Sequence, residues 1–489
     1  MVKPQAPTDS EATSYLNPNK AFLYIPSVFS AACLLTGMWL FTTARVPFLF
    51  FLPLALLFTL YLGLSYLIIL RARSFKLGTV CLPSQLPTVD IYLPCCGESI
   101  DILANTYRHV SKLQWPREKL TVYVLDDSGS QFVRELADSF AFRYIKRPNP
   151  GEMKKAGNIR YAFGLTKGEF ITIFDADFCP RPDFLQVLMG HFTPDTAIIQ
   201  SPQYFTLDPH QTWIEQGAAY IQELFYRIVQ VSRNHWGAAI CVGSNAIYRR
   251  EALAPFGGTY AIEYSEDVHT GFMVMNAGWK LKYIPLNMAK GVCPDTVKAF
   301  FMQQYRWAMG SLTLLLNKEF WRSRLTPMQK ACYFSGFLFY IASGIGVLTA
   351  GLPSVVLIWT HPELVLPYNC LFSVPSFILG TCIQPLWSTH KFGLYVFRAR
   401  AIAYHAYLFA FIDKLRGNLI PWQASGAVGK VARFTQFRNL IFYWNYTLLI
   451  ATYFAAGANI DKLPNFIPTL FFTTFNAWIN LTVLKEQES

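Results

Sequence analysis

The chain has 489 residues, of which 53% are hydrophobic and only 15% are charged, and it carries a formal net charge of +12. Soluble domains usually carry about 25% charged residues, so the composition excludes an ordinary soluble protein and equally a disordered or fibrous one. The basic residues flank apolar runs instead of forming one block. This pattern favours cytosolic flanks of membrane segments and argues against a nucleic-acid partner.

The first elements along the chain predict a membrane hairpin. Residues 1–20 are polar and lack a signal-peptide pattern, so we expect a disordered cytosolic tail there. Two apolar runs follow, at about residues 21–43 and 46–70, and each is long enough to cross a hydrocarbon core of ~30 Å. Basic residues directly after the second run predict that residues 21–71 form two transmembrane helices with both ends in the cytosol.

Residues 72–295 differ in composition, because charges, prolines and glycines return there. Short apolar runs at 89–94, 120–125 and 170–174 are typical of buried strands, and a helical pattern occupies 131–140. Strands that alternate with helices favour a mostly parallel α/β sheet in one cytosolic domain.

The rest of the chain predicts an amphipathic helix at the membrane interface over residues 296–328, and then a membrane region over 329–489. We expect a basic cytosolic loop with helical character at 390–438, both termini in the cytosol, and about six spans in the whole chain. The four later spans are expected at about residues 331–359, 370–387, 439–456 and 463–484.

Carboxylates directly follow two of the predicted strands. Asp126 and Asp127 come after one strand, and Asp175 and Asp177 come after another. Ligands of open parallel sheets bind at the carboxyl ends of the strands, and closely spaced carboxylates suit Mg²⁺ or Mn²⁺. The second pair is therefore a candidate metal and nucleotide-diphosphate site. A solvated turn or a helix cap is the plain alternative.

A third acidic motif lies well downstream, at Ser265, Glu266 and Asp267. If it reaches the same crevice, one of its carboxylates could act as a general base on an acceptor hydroxyl. By itself the motif is more typical of a helix start, because Ser265 suits an N-cap and the acids suit the first turn.

The predicted interface helix carries the segment Gln303-Gln304-Tyr305-Arg306-Trp307. An indole face can stack on a sugar ring, and a guanidinium can bind a phosphate through two hydrogen bonds. In isolation the segment is more typical of an aromatic membrane belt with a basic residue extended towards the headgroups.

Taken together and in this order, the motifs resemble those of the processive family 2 glycosyltransferases, which include the cellulose, hyaluronan and chitin synthases. The resemblance covers about residues 89–312 and leans towards the cellulose synthases. Further segments of that type are K-A-G-N at 155–158, Q-S-P-Q at 200–203, C-V-G-S-N-A at 241–246, R-R-E-A-L at 249–253 and G-V-C-P at 291–294.

The resemblance implies a GT-A fold, inversion at the anomeric carbon, and a β-linked polymer that leaves through the enzyme's own membrane helices. It also implies roles for residues that match the family motifs. Donor binding falls to Asp126, Asp127, Lys155, Asp175, Gln303 and Arg306, metal binding to Asp175 and Asp177, catalysis to Asp267 with Glu266, and acceptor binding to Trp307, Gly243 and Ser244.

The chain departs from the family pattern in places. Its first motif reads P-C-C-G-E at 94–98, and residues 421–426 stand where the cellulose synthases carry a gating loop that is not recognisable here. UDP-glucose is the first expectation for the donor, and the plasma membrane for the location. The alternatives are a hyaluronan- or chitin-type synthase that uses UDP-GlcNAc, with or without UDP-glucuronate, and a non-processive lipid glycosyltransferase. A transporter is disfavoured, because the chain shows no internal repeat.

Overall fold

The structure is a computed structural model, which describes residues 3–16, 18–78, 82–205, 208, 210–417 and 432–484. The gating-loop position at 421–426 lies outside these residues.

The N-terminal segment is ordered where it is described. Helix α1 (Asp9–Thr13) opens with a capping box, and the carboxylate of Glu11 also accepts a hydrogen bond from Lys290 Nζ at 2.9 Å. Tyr15 is 2% exposed and makes an edge-to-face contact with Tyr204. Because these polar groups are paired and the tyrosine is buried, the expectation of a disordered tail is wrong for the described part of the first twenty residues.

Two long helices follow, α2 (Lys20–Ala44) and α3 (Leu52–Arg71), with a 3₁₀ segment at Val46–Phe51 between them. The hairpin exposes large apolar side chains, among them Ile25 of α2 at 71% and Phe50 of the 3₁₀ segment at 82%. Within the described residues, three stretches are long and apolar enough to cross a membrane: Lys20–Ala44, Val46–Arg71 and Pro327–Thr360. The expected number of about six spans is therefore not confirmed.

The central domain is built on a sheet in which seven of the described strands pair in the order β3-β2-β1-β4-β8-β6-β9. A smaller sheet pairs β5, β10 and β7. The strands are β1 (Val89–Cys95), β2 (Leu120–Asp126), β3 (Arg143–Ile145), β4 (Phe170–Ile173), β5 (Cys179–Pro180), β6 (Thr196–Gln200), β7 (Tyr204–Phe205), β8 (Ala246–Arg249), β9 (Lys280–Tyr283) and β10 (Ala289–Gly291).

The sheet is mostly parallel because β1 to β4 run the same way, whereas β8 is antiparallel to both β4 and β6. Every residue of β1 is buried, as expected for a strand covered on both faces. The three predicted strands are confirmed, to within one residue at each end. Cys95 pairs with Asp126, and Ile173 pairs with Ala246. The carboxyl ends of β1, β2 and β4 and the first residue of β8 therefore lie at the same edge of the sheet.

Helices cover the sheet and also the edge at which the carboxyl ends of β1, β2 and β4 lie. A π-helical turn at Phe225–Val229 joins α8 to α9, and a 3₁₀ turn follows α10. The helices are α4 (Ile100–Val110), α5 (Gln131–Ser139), α6 (Lys154–Leu165), α7 (Phe184–Met189), α8 (Trp213–Leu224), α9 (Gln230–His235), α10 (Arg250–Leu253) and α11 (Glu266–Asn276).

The C-terminal part is helical. The expected span at 331–359 breaks into α14 and α15, and the one at 370–387 contains 3₁₀ and π segments. The helices are α12 (Val297–Leu315), α13 (Lys318–Arg322), α14 (Pro327–Thr349), α15 (Leu352–Thr360), α16 (Val374–Ile378), α17 (Gln384–Trp387), α18 (Leu394–Arg416), α19 (Ala432–Ala458) and α20 (Leu463–Thr482).

Two of the expected elements in this part are more closely packed than expected. Most side chains of helix α12 are buried against α11, α14 and α18, and its expected place at the membrane interface stays a prediction. The segment at 390–438, expected as a loop with helical character, contains the 23-residue helix α18, which packs on α12 and α14. Alanines along α18 permit this close packing, and they gave no strong amphipathic signal in the sequence.

Candidate active site

The carboxylate of Asp126 is buried and fully used by its own loop. Its Oδ1 accepts a hydrogen bond from Ser128 N at 2.8 Å, and its Oδ2 accepts from Ser130 N at 2.8 Å and from the Tyr144 hydroxyl at 2.9 Å. These bonds hold the turn that follows β2. The structure therefore places Asp126 beneath the crevice as a brace for the loop.

The side chain of Asp127 is only 6% exposed and is paired with Arg147, a residue that the sequence analysis did not single out. Arg147 Nη2 donates to Asp127 Oδ2 at 2.7 Å, and Gly151 N donates to the same oxygen at 3.0 Å. The Arg147 side chain is almost completely buried. A paired and hydrogen-bonded carboxylate is held in one orientation.

Lys155 links the D-x-D motif, which is the pair Asp175 and Asp177, to the downstream acidic motif that contains Glu266 and Asp267. Its Nζ lies 2.5 Å from Asp175 Oδ1, 3.2 Å from the carbonyl oxygen of Gly243 and 4.0 Å from Glu266 Oε1. Burial alone would lower the pKa of Lys155, but the charges of Asp175, Glu266 and Asp267 outweigh it and raise the pKa. Lys155 is therefore a fixed positive charge between two acidic motifs.

Asp177 is the second carboxylate of the D-x-D motif, and Asp175 and Asp177 are both partly exposed. Burial, followed by the neighbouring charge of Asp175, raises the pKa of Asp177 to about 7. Two carboxylates that repel each other in a low-dielectric crevice are stabilised when a cation binds between them.

The donor set of this pair fits a hard divalent cation. No group of three or more His, Cys, Asp or Glu side chains is arranged as metal ligands within the described residues. Two carboxylates nevertheless suffice for Mg²⁺ or Mn²⁺, because these ions commonly take their other ligands from phosphates and water.

Asp267 lies in the first turn of α11, beside the loop that carries Gly243 and Ser244. Gly243 has a φ of +76°, and a β-carbon placed on it would lie 2.9 Å from Asp267 Oδ2. Burial, then the charge of Glu266, raises the pKa of Asp267 to about 7, and burial likewise raises the pKa of Glu266. A carboxylate in this state is suited to accept a proton near neutral pH.

Ser244 is fully buried, and its hydroxyl accepts a hydrogen bond from Asp175 N at 2.9 Å. Gln200, which is also buried, donates to the Ser244 carbonyl oxygen at 2.8 Å and accepts from Val242 N at 3.1 Å. The expected acceptor loop thus holds the D-x-D backbone, with Gly243 facing Asp267. Gln200 belongs to the Q-S-P-Q segment, which was noted in the sequence without a role.

The helix α12 exposes only part of the segment 303–307. Gln303, Arg306 and Trp307 are partly exposed, whereas Gln304 and Tyr305 are buried. Positions i, i+3 and i+4 share one helix face, so the first three side chains lie together. Burial lowers the pKa of Arg306 to about 10, against the opposing effects of Tyr264 and Glu266, so the guanidinium stays charged at neutral pH.

The segment that carries Asp267, at the start of α11, packs directly on α12. Ser265 donates a hydrogen bond to the Arg306 carbonyl oxygen at 3.4 Å, and His269 lies 3.3 Å from the Gly310 carbonyl oxygen. A β-carbon on Gly310 would collide with the Ser265 side chain. Glycine at 310 therefore allows the start of α11, which carries Asp267, to pack against the part of α12 that carries Arg306.

The crevice thus gathers two acids able to hold a cation, a fixed lysine, a candidate base and an aromatic helix face. This set can bind a diphosphate, stabilise a departing anion and deprotonate a hydroxyl nearby. Arg147 and Tyr144 were not predicted, because an arginine and a tyrosine on strand and loop positions carry no motif of their own.

Comparison with known proteins identifies the family and the class of fold. Residues 170–459 match the family described as "Glycosyl transferase family group 2". A cellulose synthase 1 catalytic subunit (UDP-forming) from Komagataeibacter xylinus is 34% identical over 259 residues, which cover 52% of this chain and 35% of that protein. The corresponding subunit from Pseudomonas fluorescens is 33% identical over 282 residues, which cover 56% of this chain and 38% of that protein. The chain therefore spans little more than a third of the length of these relatives.

Among solved structures, a mannosyltransferase from Pyrobaculum calidifontis in complex with GDP-Man and Mn²⁺ superimposes with a TM-score of 0.56 at 17% identity. The match covers 74% of this chain and 97% of that one, and it confirms the expected GT-A class of fold. Since the family pattern extends over more than half of its residues, the chain belongs to glycosyl transferase family group 2.

Proposed function

We propose that this protein is a processive, inverting synthase that transfers sugar from a UDP-sugar, with UDP-glucose as the first choice, to the end of a β-linked polysaccharide. The observation that carries the proposal is the contact of Asp267 with Gly243 in the crevice where Lys155 holds Asp175. The likeness to the UDP-forming cellulose synthase subunits supports the choice of donor.

In the proposed reaction, Asp267 accepts the proton of an acceptor hydroxyl. The hydroxyl oxygen forms a bond to the anomeric carbon of the donor as the bond from that carbon to the diphosphate oxygen breaks, and UDP leaves. A divalent cation held by Asp175 and Asp177 would supply positive charge to the departing diphosphate. Lys155 holds Asp175 in place, and its charge adds to the field that stabilises the departing diphosphate.

The exposed face of α12 serves the two substrates in this proposal. Arg306 and Gln303 offer hydrogen-bond donors to the diphosphate, and the indole of Trp307 offers an apolar face on which the acceptor sugar stacks. Asp127, which Arg147 orients, is proposed to bind the uridine of the donor.

The membrane arrangement belongs to the same proposal. The apolar stretches Lys20–Ala44, Val46–Arg71 and Pro327–Thr360 would anchor the chain in a bilayer, with the N-terminus and the catalytic domain in the cytosol. Both termini are proposed to be cytosolic, which requires an odd number of further crossings among the helices after Thr360. The helices around α12 and α18 would then pass the growing polymer across the plasma membrane.

The test is product formation by the purified protein in nanodiscs with Mg²⁺ or Mn²⁺ and one radiolabelled UDP-sugar at a time. We expect a high-mass product from UDP-glucose alone, which a β-glucanase degrades. Asp267→Asn should abolish the product while it leaves donor binding intact. Glu263→Gln, which changes an exposed acid three residues before Glu266, should still form the product.

Other outcomes would replace the proposal. A polymer formed only from UDP-GlcNAc, or from UDP-GlcNAc with UDP-glucuronate, would assign a chitin- or hyaluronan-type synthase. A single sugar attached to a lipid would assign a non-processive enzyme. Absence of transfer from every UDP-sugar would overturn the proposed activity.

A further inference from the structure

The helix α12 is held on the side opposite to the crevice by a buried ionic cluster. The hydroxyl of Tyr305 donates to Asp413 Oδ2 at 2.9 Å, and Asp413 lies in the last turn of α18 with no exposed side-chain surface. Arg433, the second residue of α19, donates to the same oxygen through Nε at 3.0 Å and to Oδ1 through Nη2.

The chemistry of this cluster makes it a rigid joint. A carboxylate that binds a guanidinium through two parallel hydrogen bonds has a defined orientation, and the third bond from the phenol is then also directed. Burial removes competing water, and so the joint fixes three helices, α12, α18 and α19, relative to one another.

The position of Tyr305 within the segment 303–307 connects this joint to the rotation of α12. Gln303, Arg306 and Trp307 are spaced i, i+3 and i+4, whereas Tyr305 at i+2 projects about 200° away around the helix. A contact that fixes Tyr305 therefore fixes the rotation of α12 about its axis. That rotation decides whether the face with Trp307 is directed towards Asp267.

We propose that Asp413, together with Arg433, is a positioning residue for the glycosyl transfer. It sets the rotation of α12 through Tyr305, so that the diphosphate and acceptor groups of α12 meet the base on α11. This inference rests on the proposed function. Asp413 and Arg433 both lie outside all of the motifs that the sequence pointed to.

Tyr305→Phe is the primary variant, because it removes one hydrogen bond and keeps both the ring and the Asp413–Arg433 ion pair. Asp413→Asn is secondary, because it leaves a buried guanidinium without its counter-charge and risks unfolding. The matched control is Thr313→Val, which removes another hydrogen bond between the same helices, Lys414 Nζ to Thr313 Oγ1 at 3.1 Å, two turns further along α12.

We expect Tyr305→Phe to lower the rate of polymer elongation on the order of tenfold or more, since small misplacements of catalytic groups cost up to about a hundredfold. Donor hydrolysis without an acceptor should fall less, so the ratio of transfer to hydrolysis should drop. Thr313→Val should keep the wild-type rate and ratio, although its thermal stability should match that of Tyr305→Phe.

Two readouts separate this proposal from the proposed function. Absence of transfer in the wild-type protein would reject the function alone. Deuterium uptake by backbone amides at residues 303–307, which needs no catalysis, should rise in Tyr305→Phe and not in Thr313→Val. Wild-type elongation and uptake in Tyr305→Phe, or equal losses in both variants, would overturn the positioning role.

Discussion

Gly243 lies directly against Asp267, so closely that a β-carbon on the glycine would be 2.9 Å from both Cβ and Oδ2 of the aspartate. The glycine has a left-handed backbone conformation, with a φ of +76°. Two independent constraints, backbone strain and lack of space, therefore exclude a side chain at this position.

The two constraints predict different consequences for Gly243→Ala. Backbone strain should lower the stability by about 1–2 kcal/mol, and displacement of Asp267 should reduce transfer on the order of a hundredfold. Gly278→Ala is the control, because Gly278 has a φ of +95° and no atom within 4 Å of the added carbon. It should lose similar stability and keep its activity, as measured by thermal unfolding and UDP release. Equal activity in the two variants would remove the Asp267 contact from the mechanism.

The rate should depend on pH through Asp267. The pKa of this carboxyl is raised to about 7, and the base must be deprotonated to accept a proton. Activity should therefore be present above pH 7 and fall as the pH drops below it, by about tenfold per unit at low pH. A kcat/KM profile between pH 5 and 9 measures this, and a flat profile would contradict the assignment of Asp267 as base.

The D-x-D pair should bind a cation in a pH-dependent way. Because the folded pKa of Asp177, about 7, lies above the ordinary 3.8, the stability that this group contributes is complete below pH 3.8 and is lost as the pH rises through 7. Mn²⁺ competes with that proton, so it should stabilise the protein at pH 8 and much less at pH 5.

At a Mn²⁺ concentration a hundredfold above the Kd, the gain at pH 8 should be about 2.7 kcal/mol, visible as a rise in Tm. Asp177→Asn should abolish the gain. Asp138→Asn, which changes an exposed acid on α5, should retain it. An unchanged response in Asp177→Asn would place the cation elsewhere.

Trp307 should matter for polymer growth more than for donor breakdown. Trp307→Ala removes the proposed stacking surface for the acceptor, worth about 1 kcal/mol or more, so chain length and elongation rate should fall while donor hydrolysis persists. Trp321→Ala, at a half-exposed indole on α13, is the control. Size analysis of labelled product and assay of free UDP distinguish the two effects, and equal loss of both would indicate a folding defect.

A buried cluster around Glu223 should secure the contact between the domain and the C-terminal helices. Glu223 lies 3.1 Å from His390 Nδ1 and pairs with Arg227, whose guanidinium lies 4.0 Å above the Trp387 ring. Glu223→Gln leaves Arg227 buried without a full counter-charge, so it should cost about 3–5 kcal/mol. Glu251→Gln, at an exposed acid, should cost less than about 0.5 kcal/mol in the same thermal unfolding assay.

The predicted strands at 89–94, 120–125 and 170–174 were correct because each is a continuous apolar run whose burial on both faces leaves a local signal. Helix α18 was missed as a packed element, because its many alanines and scattered basic residues make no clear amphipathic stripe. The order of N-terminal residues was missed for a related reason: polar residues such as Glu11 are ordered only by a partner, Lys290, far along the chain.

The sequence by itself determined which residues could carry the chemistry. Asp175, Asp177, Asp267 and Trp307 stand in motifs whose spacing is set by a strand end or by one turn of helix, and such spacing can be read locally. The tertiary structure decided how these residues are combined. Lys155 meets Gly243 across 88 residues of sequence and Tyr305 meets Asp413 across 108, because only the packing of sheet edge and helices brings such distant side chains together.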